Sequence, residues 1–457
     1  MKQDNLNYEF TGGARLWLMI GMVVGVLCLG WTFFTDDALH TRFWSNFLHN
    51  SVFFTGIALM AGFFMCASIT AWAGWYVVFK RVWESISMFL IVGIPLMVVM
   101  GLGIMFHLHH IYHWADPAML DINDPHYDKL IDGKSGFLNT GWYIGGTVIL
   151  GLIWILLLGK IRSISLREDE ERKEGFTKHY NIRKYAAIFL PFAGFGSAAM
   201  IWQWIMSIDP HWYSTMFAWY TGASWFVSMI AFTILILQYL KSKGYYSNVS
   251  DEHFHDLGKF LFAFSIFWTY LWFSQYMLIW YANIGEETIY FKQRITDFPV
   301  LFYANLAINF VAPFFILMRN DTKRKMGSLA FTAGLIIFGH WLDFFLMIKP
   351  GVQHAAHLTL GGDHGDHSHG DASHGAHDIV HDAAHGAADG AHDVAHAAAG
   401  HGESAFELGF NLPGLLELGT FIGFLCLFIY FILTMLSRAP LTGVNDPYLD
   451  ESLHHHT

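Results

Sequence analysis

His340 and Asp343 stand three residues apart in G-H-W-L-D, within the apolar run Leu329 to Ile348, so a helix puts them on one face. An imidazole and a carboxylate inside lipid are costly unless partnered, and they mark either a proton relay or a satisfied structural ion pair. The H-W-x-D pattern recurs at His113 to Asp116, a short hint of internal duplication. Around it, His107, His110 and His113 are spaced three apart and His109 and His113 four apart, which puts at least two imidazoles on one helical face near the membrane surface. Such a group can relay protons, serve a quinone, ligate metal or haem, or cap the interface with amphipathic rings. Asp209 and His211 flank Pro210 in S-I-D-P-H-W-Y-S-T-M-F-A-W-Y, Ser207 to Tyr220, where the proline ring pushes Asp209 out of the helical region. Glu286 and Glu287 pair two carboxylates at a membrane edge, either as proton acceptors or as an ordinary charged loop. Asn305 and Asn309, four apart, are expected to face a bundle interior, as helix-to-helix hydrogen-bonding groups or as a polar lining.

The elements that must position these residues follow from composition. With 54% hydrophobic and 14% charged residues, the chain is too apolar for an ordinary soluble domain. Ten apolar runs have bilayer-spanning length: Ala14 to Phe34, Val52 to Val78, Ile86 to Phe106, Gly141 to Leu158, Ala186 to Met206, Gly222 to Leu240, Phe260 to Tyr281, Val300 to Met318, Leu329 to Ile348 and Leu415 to Leu436. Helix is the solution open to them, because lipid offers no partner to unpaired backbone groups. The expected fold is therefore an all-α polytopic membrane protein with ten transmembrane helices. Run one lacks an A-x-A-like cleavage site and reads as a retained anchor. Of the 26 Lys and Arg, 20 fall on the side of the N-terminus, so the positive-inside rule expects both termini in the cytoplasm. The opposite face then carries a formal charge of −16, suited to a basic partner or a cation, or simply to keeping a loop soluble. Cys28, Cys66 and Cys426 lie within runs, with no C-x-x-C-H and no cluster spacing, so no c-type haem and no iron–sulfur centre is expected on this chain.

Between the runs, Lys80, Arg81 and Glu84 read as closing an inner hairpin, and Lys160 to Lys184 as a solvated connector of alternating charge. Asp116 to Asn139, with five aspartates, reads as an ordered outer lobe. Twelve of the 27 histidines crowd into Val352 to Glu403, where His377, His381, His385, His392 and His396 could line one face of an Ala-rich helix. That stripe could buffer transition metal, although the composition equally suits a loosely ordered linker.

Two stretches, S-I-D-P-H-W-Y-S-T-M-F-A-W-Y and S-Q-Y-M-L-I-W-Y-A-N-I-G-E-E-T-I-Y-F, resemble those of the ActF subunit family of bacterial alternative complex III, quinol:cytochrome c oxidoreductases. The resemblance extends over most of runs two to nine. It departs at Gly285, where the family pattern has Pro, and the His-rich insertion is not a family-wide feature. It implies an NrfD-like fold of two four-helix bundles, runs two to five and six to nine, flanked by runs one and ten. The corresponding division is an anchor and outer loop at 1–51, bundles at 52–206 and 222–348 joined by 207–221, a His-rich outer loop at 349–412, and a final helix and cytoplasmic tail at 413–457. It further implies a cofactor-free subunit of a bacterial inner-membrane respiratory complex, with the His-rich loop periplasmic. Its partners would be the sister subunit ActC, the iron–sulfur subunit ActB, c-type cytochrome subunits carrying haem c, a terminal oxidase and lipids, with no nucleic acid. On this reading His340, Asp343, Asp209, His211, the His107 to His113 group, Asn305 and Asn309 support quinol oxidation and proton transfer. The alternatives are a second quinone site in the same complex, a b-haem membrane anchor, and a metal transporter with a His-rich outer loop.

Overall fold

A computed structural model describes residues 7–171, 176–360 and 408–456. Ten helices in it are long and apolar enough to cross a membrane: span one (Gly12–Thr35), two (Thr41–Thr70), three (Val77–Met105), four (Thr140–Asp169), five (Thr177–Ile208), six (Met216–Ser242), seven (Asp251–Ala282), eight (Pro299–Leu317), nine (Met326–Ala356) and ten (Leu415–Leu436). The protein is an all-α polytopic membrane protein, and no strand forms among the described residues. Spans two to five pack on one another, as do spans six to nine, and the two bundles meet where span two crosses spans six and nine.

Spans one and ten form a separate antiparallel pair that joins the bundles through contacts of span ten with spans two and three. Gly21 and Gly25 meet Cys426 and Gly423, while Gly419 meets Cys28, so closely that a Cβ on Gly25 would overlap the Cα of Gly423. Each helix carries a G-x-x-x-G, and with no hydrophobic drive inside lipid, this close backbone approach supplies the dispersion that pairs them.

Hydropathy misplaced the boundary between spans two and three. Span two starts at Thr41 and stops at Thr70, and Trp72, at positive φ, turns the chain into span three. Tyr76 to Phe79 does not end span two but forms the buried entry to span three. Conversely, S-N-F-L-H-N at Ser45 to Asn50 is helical despite its polarity, since Ser45, Asn46, His49 and Asn50 are all buried against other spans.

Several charges assigned to inner loops are likewise interior. Lys80, Arg81 and Glu84 belong to a buried helix, with Arg81 donating to Glu84 at 2.6 Å and to Asp169 at 2.5 Å. Lys80 pairs with Asp446 of the C-terminal tail. The supposed solvated connector from Lys160 is, as far as Glu171, a continuation of the span-four helix, with Arg162 and Glu168 buried. The tail lies across this end of the first bundle, where Ser452 Oγ donates to the Trp75 carbonyl at 2.8 Å. Burial would raise the Asp446 carboxyl, but Lys80, together with the Tyr448 N–H and His179, holds the group below its ordinary range.

Candidate functional site: a buried carboxylate below an outer vestibule

Asp343 and His340 project from span nine into the second bundle and are fully buried. Three neighbouring spans aim four donors at the carboxylate. Tyr220 Oη, from span six, donates to Oδ1, and Asn305 Nδ2, from span eight, reaches the same oxygen at 2.8 Å. Oδ2 accepts from Ser224 Oγ of span six at 3.1 Å and from Trp268 Nε1 of span seven at 3.0 Å. These hydrogen bonds, rather than a cation, solvate the carboxylate. His340 Nδ1 lies 3.9 Å from Asp343 but 2.8 Å from Ser224 Oγ. With Nδ1–H donating to Ser224 and Ser224 donating to Asp343, the serine joins the pair, and the buried Nε2 is left without a hydrogen-bond partner.

Asn305 and Asn309 face inward as expected, with Asn309 Nδ2 donating to Asn305 Oδ1 at 2.5 Å. Pro313 follows them, and the preceding turn widens into a π-helix over Ala307–Val311, which carries Asn309.

A second proline sets the entrance. Pro350, inside the span-nine helix, has no N–H for the Leu346 carbonyl one turn earlier. Arg294 Nε donates to that carbonyl at 3.1 Å, Nη2 donates to the Met347 carbonyl at 3.2 Å and to Asp209 Oδ2 at 3.2 Å. Its guanidinium lies 3.3 Å from the centre of the Tyr290 ring. Arg294 comes from the surface helix Gly285–Thr296 and, though counted as an outer-loop cation, is buried.

Outside Arg294 opens a vestibule of about 330 Å³, lined by His113, Asp209, His211, Glu286, Tyr290 and His354 among others. Trp212 stacks on Tyr290 there at 3.9 Å. Burial pushes the His113 imidazole down, His211 adds to that, and Asp116 and Asp128 oppose it. His211 Nε2 bonds Asp128 Oδ2 at 2.5 Å, and Asp128 also caps the short helix Lys129–Lys134, whose Lys134 Nζ donates to the Pro210 carbonyl at 2.6 Å. The aspartate-rich outer lobe is thus an ordered bracket on the interbundle turn. Burial also raises the Tyr290 phenol. Inward of Arg294, a cavity of about 10 Å³ touches Tyr220, Gln275, Tyr290 and Arg294. That is room for one water, and the buried Gln275 Nε2 is without a hydrogen-bond partner.

Of the sequence candidates, the structure therefore joins His340, Asp343, Asn305 and Asn309 in one cluster, and Asp209, His211, His113 and Glu286 in the vestibule above it. Glu287 lies in the first turn of the surface helix but does not line the vestibule. The histidine group does not share a helical face: the helix stops at Met105, and His107 takes a positive φ. His107 is exposed and His110 half-buried, while His109, buried against Trp44, bonds the Met100 carbonyl at 3.2 Å. His377, His381, His385, His392 and His396 lie outside the described residues. Among the described residues, no group of three or more His, Cys, Asp or Glu could hold a metal ion.

Tyr220, Ser224, Trp268, Tyr290 and Arg294 were missed as site residues. Only Pro350 signalled one of them, by implying an unpaired carbonyl that needs an outside donor. No protein-family model matches the chain, and no curated protein matches it in sequence.

Proposed function

We propose that this chain is a cofactor-free membrane subunit of a quinol:cytochrome c oxidoreductase of the alternative complex III kind, and that its second bundle conducts protons between mid-membrane and the outer face. The carrying observation is continuity: Asp343, Tyr220, the one-water cavity, Arg294 with Tyr290, and the Asp209 vestibule follow one another from the bilayer interior to the surface. Quinol oxidation yields two electrons and two protons. The electrons leave through iron–sulfur and haem c groups on partner subunits, ActB and the c-type cytochromes, with ActC as the sister membrane subunit and a terminal oxidase downstream. The protons need a carrier through low dielectric, and a carboxylate solvated by fixed donors serves as one. In this reading Tyr220 hands protons between Asp343 and the water site, and Ser224 links Asp343 to His340. Asp209 and the His211–Asp128 pair receive them at the surface. The basic N-terminal side faces the cytoplasm of the bacterial inner membrane, and the vestibule and His-rich loop face the periplasm.

The test is Asp343→Asn in the purified, assembled complex in proteoliposomes. We expect the rates of quinol oxidation and of proton release at the outer face to fall at least tenfold while subunit content and haem spectra are unchanged. Unaltered proton release in the assembled variant would overturn the proton role.

A second reading places a quinone head in the vestibule, favoured by the stacked Trp212–Tyr290 wall beside His113 and Glu286. A photoreactive quinone that labels Trp212 or Tyr290, in competition with added quinol, would establish it.

A further inference from the structure

On the opposite half of the molecule, a groove of about 500 Å³ separates the span one and ten pair from spans six and nine. Its walls are apolar and include Trp17, Leu18, Gly334, Phe338 and Leu425, with Tyr239 near its end. Most of its residues lie towards the N-terminal side, and Phe421, at its deep end, lies past the middle of span ten: Trp17 is in the second turn of span one, and Tyr239 and Leu433 are each three residues from the ends of their helices. From Leu433 to Phe421 the wall runs roughly 18 Å at about 1.5 Å per residue, close to the ~15 Å depth of one leaflet.

Two cations mark the mouth. Lys243 Nζ sits 5.9 Å from the Tyr239 ring, and Arg15, exposed, follows Ala14 of the wall and lies 6.0 Å from Tyr430, the neighbour of Ile429 in the wall. Gly334 opens the middle, for a Cβ there would meet nothing within 4 Å. We infer that this groove is a binding site for an anionic phospholipid of the leaflet on the N-terminal side, with one acyl chain between the span pair and the second bundle and the phosphate between Arg15 and Lys243. A partner helix is too large: 18 Å of helix with its side chains fills on the order of 1,400 Å³. A neutral isoprenoid fills the groove but leaves the two cations without a counter-charge among the described residues, whereas basic pockets between spans on this side suit anionic headgroups. This site is independent of the redox reading above.

The full chain, purified in detergent with equal amounts of phosphatidylglycerol and phosphatidylcholine of identical acyl chains, is examined by native mass spectrometry. One phosphatidylglycerol should be retained in preference. Arg15→Gln and Lys243→Gln should each lower that preference about fivefold, and together about thirtyfold. Gly334→Leu, which fills the open wall, should abolish retention of both lipids. Because the cation variants alter exposed side chains, they read the headgroup contact even if Gly334→Leu perturbs folding. Equal retention of the two lipids by the unmodified chain, or a preference untouched by removing both cations, overturns the site. So does a polyprenyl quinone or a protein helix found in the groove.

Discussion

The two four-helix bundles share a build and differ in where they hold charge. In the half of the first away from the N-terminus, the interior is a neutral ladder: Tyr112 Oη donates to the Trp204 carbonyl at 2.7 Å, and Trp204 Nε1 donates to Thr147 Oγ1 at 2.9 Å. Its charges gather at the N-terminal side, where Lys80, Arg81 and Arg162 face Glu84, Asp169 and Asp446. The second bundle puts a single carboxylate at mid-depth and surrounds it with donors. Buried cations stabilise carboxylates where the tail can supply a partner. Deep between spans, neutral donors from several helices do so, and a carboxylate held that way can exchange a proton without breaking an ion pair.

Lys80→Met would break the first arrangement and leave Asp446 buried without its cation. A loss of about 4 kcal/mol is expected in detergent unfolding, and Lys80→Met with Asp446→Leu should recover most of it. Unchanged unfolding of the single variant would show that the charge cluster does not seat the tail.

Next in size is the pH effect of one first-bundle histidine. Burial lowers His109 to about 4 from its ordinary 6.5. The unfolded chain therefore binds the proton first as pH falls, so stability is full above about 6.5 and is lost on the way down to about 4. The loss is about 3 kcal/mol. The slope of thermal unfolding across that window should be smaller in His109→Gln; a variant that keeps the parent slope assigns it to another group.

The smallest effect is the sharpest comparison. Trp204→Phe removes a hydrogen bond to a hydroxyl and Trp268→Phe one to a carboxylate, so losses of about 1 and about 2 kcal/mol are expected. Equal losses would mean that Asp343 accepts as a neutral acid, and the contrast between the bundles would shrink to packing.

Much of the layout was legible before any coordinates, because lipid dictates it: a run of the right length must close its own hydrogen bonds, and polar residues four apart, such as Asn305 and Asn309, must turn inward. His340 and Asp343 were findable on the same ground. The partners of Asp343 were not, since Tyr220, Ser224 and Trp268 are ordinary members of a chain with 18 Trp and 19 Tyr, and only the packing of span six against spans seven and nine aims them. Nor does hydropathy separate a turn from a span, as the segment before Val77 shows, or a loop charge from an interior one, as Lys80 and Arg294 show. The sequence by itself determined how many times the chain crosses and which faces must avoid lipid. Only the tertiary structure decided which donors meet Asp343, because a hydrogen bond between helices depends on their register and crossing, and residue type and spacing along one helix do not encode either.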